Sequence, residues 1–145
     1  MRIFLVRHGE APGSGLSDLG VAQIKAAANV LKQSEINPKE TLLLTSPLPR
    51  AVESADILRE ELGLAIAVEK DWLASDRSSM QQLLSEFTNN PTAQVIVLTS
   101  HMPDIEATVE RFAGSFDISL RARVRNGSVH LIDMDNKIVR RLFPE

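Results

Sequence analysis

The chain has 145 residues, 43% of them hydrophobic, which supports one folded domain over residues 1–145 and excludes wholesale disorder. Sixteen Lys+Arg against 19 Asp+Glu leave a net charge of −3, which argues against a nucleic-acid partner; a mean hydropathy of −0.05, with no apolar run near the ~18 residues of a membrane span, argues against a membrane. With no cysteine, disulfides, thiolate metal sites and a cysteine nucleophile are impossible, and with no tyrosine and 4% aromatics a base-stacking platform is disfavoured.

In chain order, Ile3–Val6 reads as a buried strand, and its apolar run is too short for a signal peptide, so a cytoplasmic location is expected. Ser17 is an N-cap candidate for a helix carrying Val21, Ile24, Ala28 and Leu31. Thr41–Thr45 reads as a second strand. Pro49 suits the first turn of a helix carrying Val52, Ala55, Leu58 and Leu62, closed by Gly63. A short strand falls near Ala65–Val68. Met80, Leu83, Leu84 and Phe87 mark a third helix that ends before Pro91, and Gln94–Thr99 reads as another strand. Pro103, Ile105, Val109 and Phe112 mark a fourth helix, closed by Gly114. Apolar strands alternating with helices predict an α/β fold in three layers, its sheet mostly parallel and covered by helices on both faces.

The last thirty residues change character. Ile118, Leu120, Ala122 and Val124 alternate with Ser119, Arg121, Arg123 and Arg125, which predicts a strand with an arginine face. Asn126-Gly127 is a two-residue turn signal, and Ser128–Met134 and Lys137–Phe143 read as further strands. An antiparallel edge near the C-terminus is expected.

Two of the three histidines follow predicted core strands. Arg7 and His8 follow the first, Ser46 to Arg50 the second, and His101 the strand at Gln94–Thr99. Ligands of open α/β sheets bind outside the carboxyl ends of the strands, so Arg7, His8, Arg50 and His101 are expected on one rim. Guanidinium forks match phosphate or carboxylate oxygens, and imidazole serves as nucleophile, donor or base near neutral pH. No carboxylates accompany the histidines at metal-ligand spacing, and two arginines would repel a cation. The site reads as anion-binding, with no metal and no cofactor.

Arg7-His8-Gly9 resembles the Arg-His-Gly signature of the histidine phosphatase superfamily, which includes phosphoglycerate mutases and phosphomonoesterases. Ser46-Pro47-Leu48-Pro49-Arg50-Ala51 resembles its Ser-Pro-x-x-Arg-Ala block, Ser100-His101-Met102-Pro103 its Ser-His-x-Pro segment, and Leu16-Ser17-Asp18-Leu19-Gly20 its Leu-Thr-x-x-Gly helix entry. The blocks keep the family's order over roughly residues 1 to 112. The stretches between them leave little room for a cap, and Val68–Asp76 with the helix after it looks like the compact SixA-type phosphohistidine phosphatases. The resemblance implies that His8 is the nucleophile and becomes phosphohistidine. It also implies that Arg7, Arg50 and His101 hold the phosphoryl oxygens, and that the substrate is a phosphorylated histidine-carrying protein or a small phosphate ester.

The general acid is less defined. Asp76 and Asp71 are candidates by position, and a phosphohistidine substrate needs little acid assistance, because its leaving imidazole has a conjugate-acid pKa of ~6.5. Two departures from the family pattern bear on activity. Ser14, a candidate substrate-binding residue, stands where compact members carry a phosphate-binding arginine. Glu106 stands on the helix after His101, where relatives have a small residue. A non-catalytic phosphate-binding module is the alternative that these departures motivate. Glu10 is expected to pair with Arg7 or a loop N–H, and His130 to be half-buried on an edge strand. Arg121, Arg123 and Arg125 read as a solvated face, with an acidic partner as the alternative.

Overall fold

The computed structural model describes residues 1–144. Its core is one sheet in the order β3-β2-β4-β1-β5-β6, formed by β1 (Arg2–Arg7), β2 (Thr41–Thr45), β3 (Val68–Glu69), β4 (Val95–Ser100), β5 (Val129–Asp133) and β6 (Ile138–Phe143). The first four strands in that order run parallel; β5 lies antiparallel to β1, and β6 to β5. The helices are α1 (Asp18–Gln33), α2 (Pro49–Leu62), α3 (Met80–Asn89) and α4 (Met102–Ser115). Among the described residues no helix is long and apolar enough to cross a membrane.

The central strands are apolar at nearly every position because both faces are covered. Successive side chains point to opposite faces, so β1 is divided between two cores. Ile3 and Leu5 pack with Ile105, Val109 and Phe112 of α4 and with Leu83 and Phe87 of α3. Phe4 and Val6 pack with Ile24, Ala28 and Leu31 of α1 and with Leu58 of α2. Full burial of a Leu, Ile or Phe side chain contributes roughly 1.5–3 kcal/mol, so this doubly covered strand is the anchor of the fold.

Local chemistry sets the helix ends. The Ser17 side chain accepts from Gly20 N at 3.0 Å, and Asp18 complements the positive end of α1. Pro49 occupies the first turn of α2, and Gly63 closes that helix in the left-handed region at φ 68°. The start of α1 presses against the loop after β1. A Cβ on Gly9 would lie 2.4 Å from Gly20 O, and one on Gly20 would lie 2.2 Å from Glu10 O. Only two glycines allow this approach.

The C-terminal segment differs from expectation. Residues 118–124 do not pair as a strand. Their alternation survives as alternating burial only over residues 121–124: Ala122 and Val124 pack into the core under α4, Arg121 and Arg123 are exposed, and Leu120 is exposed with them. The backbone finds partners outside any ladder: Ala122 N donates to the Glu110 carboxylate at 3.0 Å, and Val124 O accepts from Arg7. With β1 flanked by β4 and β5, and β5 flanked by β1 and β6, those strands have no free edge to offer it. Asn126-Gly127 is a turn, with Gly127 at φ 74°, but it leads from this coil into β5 rather than joining two strands. Gly114 lies inside α4, which runs on to Ser115, and the predicted strand near Ala65–Val68 shrinks to Val68–Glu69. The outer edge is β6, with Arg140 and Arg141 exposed along it, the kind of charge that discourages edge-to-edge pairing.

Candidate active site

Strand register builds the site. β1, β2 and β4 are adjacent and parallel, with Arg7 opposite Ser100, and Val6 and Thr45 both opposite Thr99. His8 N donates to Ser100 O at 3.0 Å, and Ser46 N to Thr99 O at 3.0 Å, so the ladders run unbroken to the rim. His8 therefore leaves β1 beside His101, which leaves β4 and caps α4. Arg50 lies one residue into α2, just after β2.

His8 is buried, and its protonation pattern follows from its neighbours. Nδ1 lies 2.8 Å from Gly9 O, an acceptor only, so Nδ1 carries the proton and donates. The lone pair is then on Nε2, where Arg50 Nε–H donates to it at 3.2 Å. Burial holds the imidazole below its ordinary pKa; the Gly9 carbonyl opposes this, and Arg50, Arg7 and His101 add to it. An imidazole with its lone pair on Nε2 beside a guanidinium has the chemistry to act as a nucleophile or as a hydrogen-bond acceptor. Burial likewise lowers Arg7; the Glu106 carboxylate opposes that shift, and Arg50 adds to it. Glu106 thus partly offsets the positive charge of the clamp, without forming an ion pair with Arg7.

Arg7 donates Nη1 to Val124 O at 3.3 Å, while its Nε is buried without a partner. His101 Nε2 is also buried and unpartnered. An unpaired buried polar group costs roughly 1–3 kcal/mol, so two at one rim, beside the Arg50–His8 contact, mark a place where a ligand's acceptor atoms belong. Among the described residues no group of three or more His, Asp or Glu is placed to hold a metal ion.

Ser14 is exposed on the loop between β1 and α1, and among the described residues no hydrogen bond links it to the cluster. Asp71 opens a 3₁₀ turn over Asp71–Ala74 after β3, and Asp76 follows that turn; both are exposed, and neither bonds to His8, Arg7, Arg50 or His101. Ser100 Oγ contacts Leu73 O at 2.8 Å, so the turn that carries them is fastened to the end of β4. Glu10 pairs with neither Arg7 nor a loop N–H: its carboxylate accepts from Ser17 Oγ at 2.8 Å, which orders the entry to α1. His130 is fully buried on an interior strand.

Several supporting residues escape the sequence motifs. Ser54 accepts from Gly9 N at 3.1 Å and donates to Arg50 O at 2.7 Å, tying the His8 loop to α2; its spacing four residues after Arg50, on one helix face, is the available signal. Asn126 donates to His8 O at 3.2 Å, and Gln23 accepts from Glu10 N at 2.9 Å. Behind His101, Asp104 is buried and accepts from Ser79 Oγ at 2.5 Å. Ser100 has one hydroxyl proton and two oxygens in reach, Leu73 O at 2.8 Å and Asp104 Oδ2 at 3.0 Å. Burial pushes the Asp104 carboxyl up to about 6, against the hydrogen bonds from Ser79, Ser100 and Thr108 that favour its ionised form. An acid in a helix's first turn is commonplace, so no sequence signal set it apart.

Two imidazoles and two guanidiniums at the carboxyl end of a parallel sheet define a histidine-centred oxyanion site on an open α/β fold. The chain belongs to the histidine phosphatase superfamily (branch 1), whose family model matches residues 3–86. Comparison with curated protein sequences finds no relative. Solved structures show the same fold at low identity. A candidate phosphohistidine phosphatase SixA from Agrobacterium tumefaciens is 21% identical with a TM-score of 0.69, covering 97% of this chain and 94% of that one. The protein histidine phosphatase SixA complexed with tungstate is 17% identical with a TM-score of 0.73, over 97% and 94%. A mycobacterial glucosyl-3-phosphoglycerate phosphatase complexed with VO3 is 19% identical with a TM-score of 0.67, over 97% and 95%.

Proposed function

We propose that this protein is a metal-independent phosphatase of the cytoplasm that removes a phosphoryl group from phosphohistidine on a protein partner, residues 1–145 acting as one domain. The observation that carries the reading is His8 itself: Nδ1 is committed to Gly9 O, which leaves the Nε2 lone pair beside Arg50. In the first step the Arg50 Nε–H hydrogen bond passes from His8 Nε2 to a phosphoryl oxygen, the freed Nε2 lone pair attacks phosphorus, the N–P bond to His8 forms, and the bond from phosphorus to the partner's imidazole breaks. That leaving group takes its proton from water. Arg50 Nε, Arg7 Nε and His101 Nε2 hold the three equatorial oxygens, which satisfies the two unpartnered nitrogens. Water then attacks the phosphohistidine, releasing inorganic phosphate and restoring His8. The tungstate and VO3 bound by two fold relatives are oxyanions of the kind this clamp suits.

The protein-borne substrate is favoured by the short connections around the rim: residues 8–17 and 46–48 carry no helix or strand, and residues 70–79 carry only the 3₁₀ turn at Asp71–Ala74. The second reading, a small phosphate ester, would call on Asp76 or Asp71 as general acid; Asp76 acts electrostatically on Asp104, three residues past His101. Incubation with a low-molecular-weight phosphoramidate and intact-mass analysis tests the activity. A phosphoryl adduct on the wild type that is lost in His8→Ala is expected. No adduct and no turnover of phosphoramidates or aryl phosphates would leave only a non-catalytic phosphate-binding module. Faster release from sugar phosphates than from phosphohistidine proteins would move the substrate to the second reading.

A further inference from the structure

A second basic hollow lies on the α4 side of the sheet, away from His8. It is a cavity of about 260 Å³ lined by Leu120, Arg121, Ala122, Arg123, His130 and Arg141. Arg121 and Arg123 come from the coil that was expected to be a strand, and His130 and Arg141 are cross-strand partners on β5 and β6. Arg125 lines a different hollow beside Arg7, so the three coil arginines do not share one face.

Three features separate this hollow from an ordinary solvated surface. Among the described residues none of its arginines forms an ion pair, although the chain has more acids than bases and pairs cations elsewhere: Lys32 with Glu61, Lys70 with Glu86 and Arg59 with Asp56. No acid among the described residues lines the hollow, and Glu110, the acid that bonds to its coil, accepts from the Ala122 amide. His130, only 2% exposed, lines the hollow with its Nδ1 lacking any hydrogen-bond partner. Three unpaired guanidiniums around an unsatisfied imidazole form a cradle for an oxyanion.

The hollow is also coupled by position to the catalytic rim. His130 pairs with Leu5, two residues before Arg7 and therefore roughly 7 Å down the strand. The same coil that presents Arg121 and Arg123 gives its Val124 carbonyl to Arg7. We propose that this hollow is a second oxyanion site, which receives an acidic side chain of the protein that presents phosphohistidine to His8. The proposal rests on the phosphohistidine reading for its ligand, and on the hollow alone for its binding chemistry.

Two measurements test these parts separately. In steady-state kinetics, Arg121→Gln/Arg123→Gln should raise KM for a phosphohistidine-bearing protein by roughly tenfold, with kcat and the turnover of a small phosphoramidate unchanged. Arg140→Gln, the same charge one residue earlier on β6 but outside the hollow, should change neither. An equal loss on both substrates, or no loss on the protein substrate, overturns the docking role. The second measurement needs no activity. Inorganic phosphate is titrated into His8→Ala protein while the His130 imidazole is followed by NMR. A saturable shift that disappears in the Arg121→Gln/Arg123→Gln background supports an oxyanion site even if no substrate is turned over. The absence of such a shift overturns the site.

Discussion

The rim formed by β1, β2 and β4 and the C-terminal edge formed by residues 116–144 are built on different principles. At the rim, backbone ladders run up to the functional residues, so a side chain's position follows from its place in the strand register. At the edge, the coil over residues 118–124 has no ladder; Ala122 and Val124 pack into the core, and its backbone is held by Glu110 and Arg7. A parallel sheet covered on both faces tolerates little variation, whereas a coil lying over one face can carry charge that the core does not constrain. The difference teaches that chemistry requiring fixed geometry sits where strands end, and that the surface suited to docking sits where pairing stops.

Four tests, with six substitutions, break or sharpen this contrast. The largest effect is expected at Arg50. Arg50→Gln removes the donor to His8 Nε2 and one arm of the oxyanion clamp, and should lower kcat/KM on a phosphoramidate by about 10²–10³-fold. A change below threefold, with the fold intact by circular dichroism, would remove Arg50 from the mechanism.

Next is the close approach of α1 to the loop that carries His8. Gly20→Ala places a Cβ 2.2 Å from Glu10 O and should cost about 1–3 kcal/mol in denaturant unfolding. Gly114→Ala, inside α4 with nothing within 4 Å, should instead stabilise by about 0.5–1 kcal/mol. Equal midpoints for the two variants would contradict the packing described.

The third contrast is in pH. His130 is held down to about 4 by burial and then by Arg141, so the unfolded chain binds its proton first. Stability from His130 is complete above the ordinary imidazole pKa of 6.5 and declines as pH falls toward 4. Asp104, pushed up from 3.8 to about 6, has the opposite sign: its protonated form belongs to the fold, and stability declines as pH rises from 3.8 to 6. The rim-side acid and the edge-side base therefore oppose each other across the same window. Asp104→Asn should unmask His130, with stability rising by up to ~1.4 kcal/mol per pH unit between pH 4.5 and 6. In that background His130→Phe should flatten that slope, leaving the contribution of His8, which has the same sign. Chemical denaturation at several pH values reads both, and parallel slopes in wild type and Asp104→Asn would refute the pairing. The smallest effect is expected on the edge strand, where Ile138 is 42% exposed: Ile138→Lys should stay within about 0.5 kcal/mol of wild type.

Much of the rim was legible in the chain. Ile3–Val6, Thr41–Thr45 and Gln94–Thr99 predicted β1, β2 and β4 to within a residue or so, because a short apolar run bounded by polar residues has few other uses. Ser17, Pro49 and Gly63 marked helix ends because capping is local chemistry. Placing Arg7, His8, Arg50 and His101 together needed only one topological rule added to those strands. The alternation at 118–124 misled because period two reports which side chains are buried, not whether a neighbouring edge is free to pair with.

By itself the sequence determined the doubly covered parallel core, the ends of its strands and helices, and the basic, histidine-bearing character of their rim. These rest on burial and on contacts spanning a few residues. Only the tertiary structure decided that Ser54 and Asn126 brace the His8 loop, that Asp104 is buried against Ser79 and Ser100, and that Arg121 and Arg123 meet His130 and Arg141 around one hollow. Each of those meetings joins residues far apart in the chain, and strand register and helix packing, rather than any local preference, bring them within a hydrogen bond of one another or to the wall of a shared cavity.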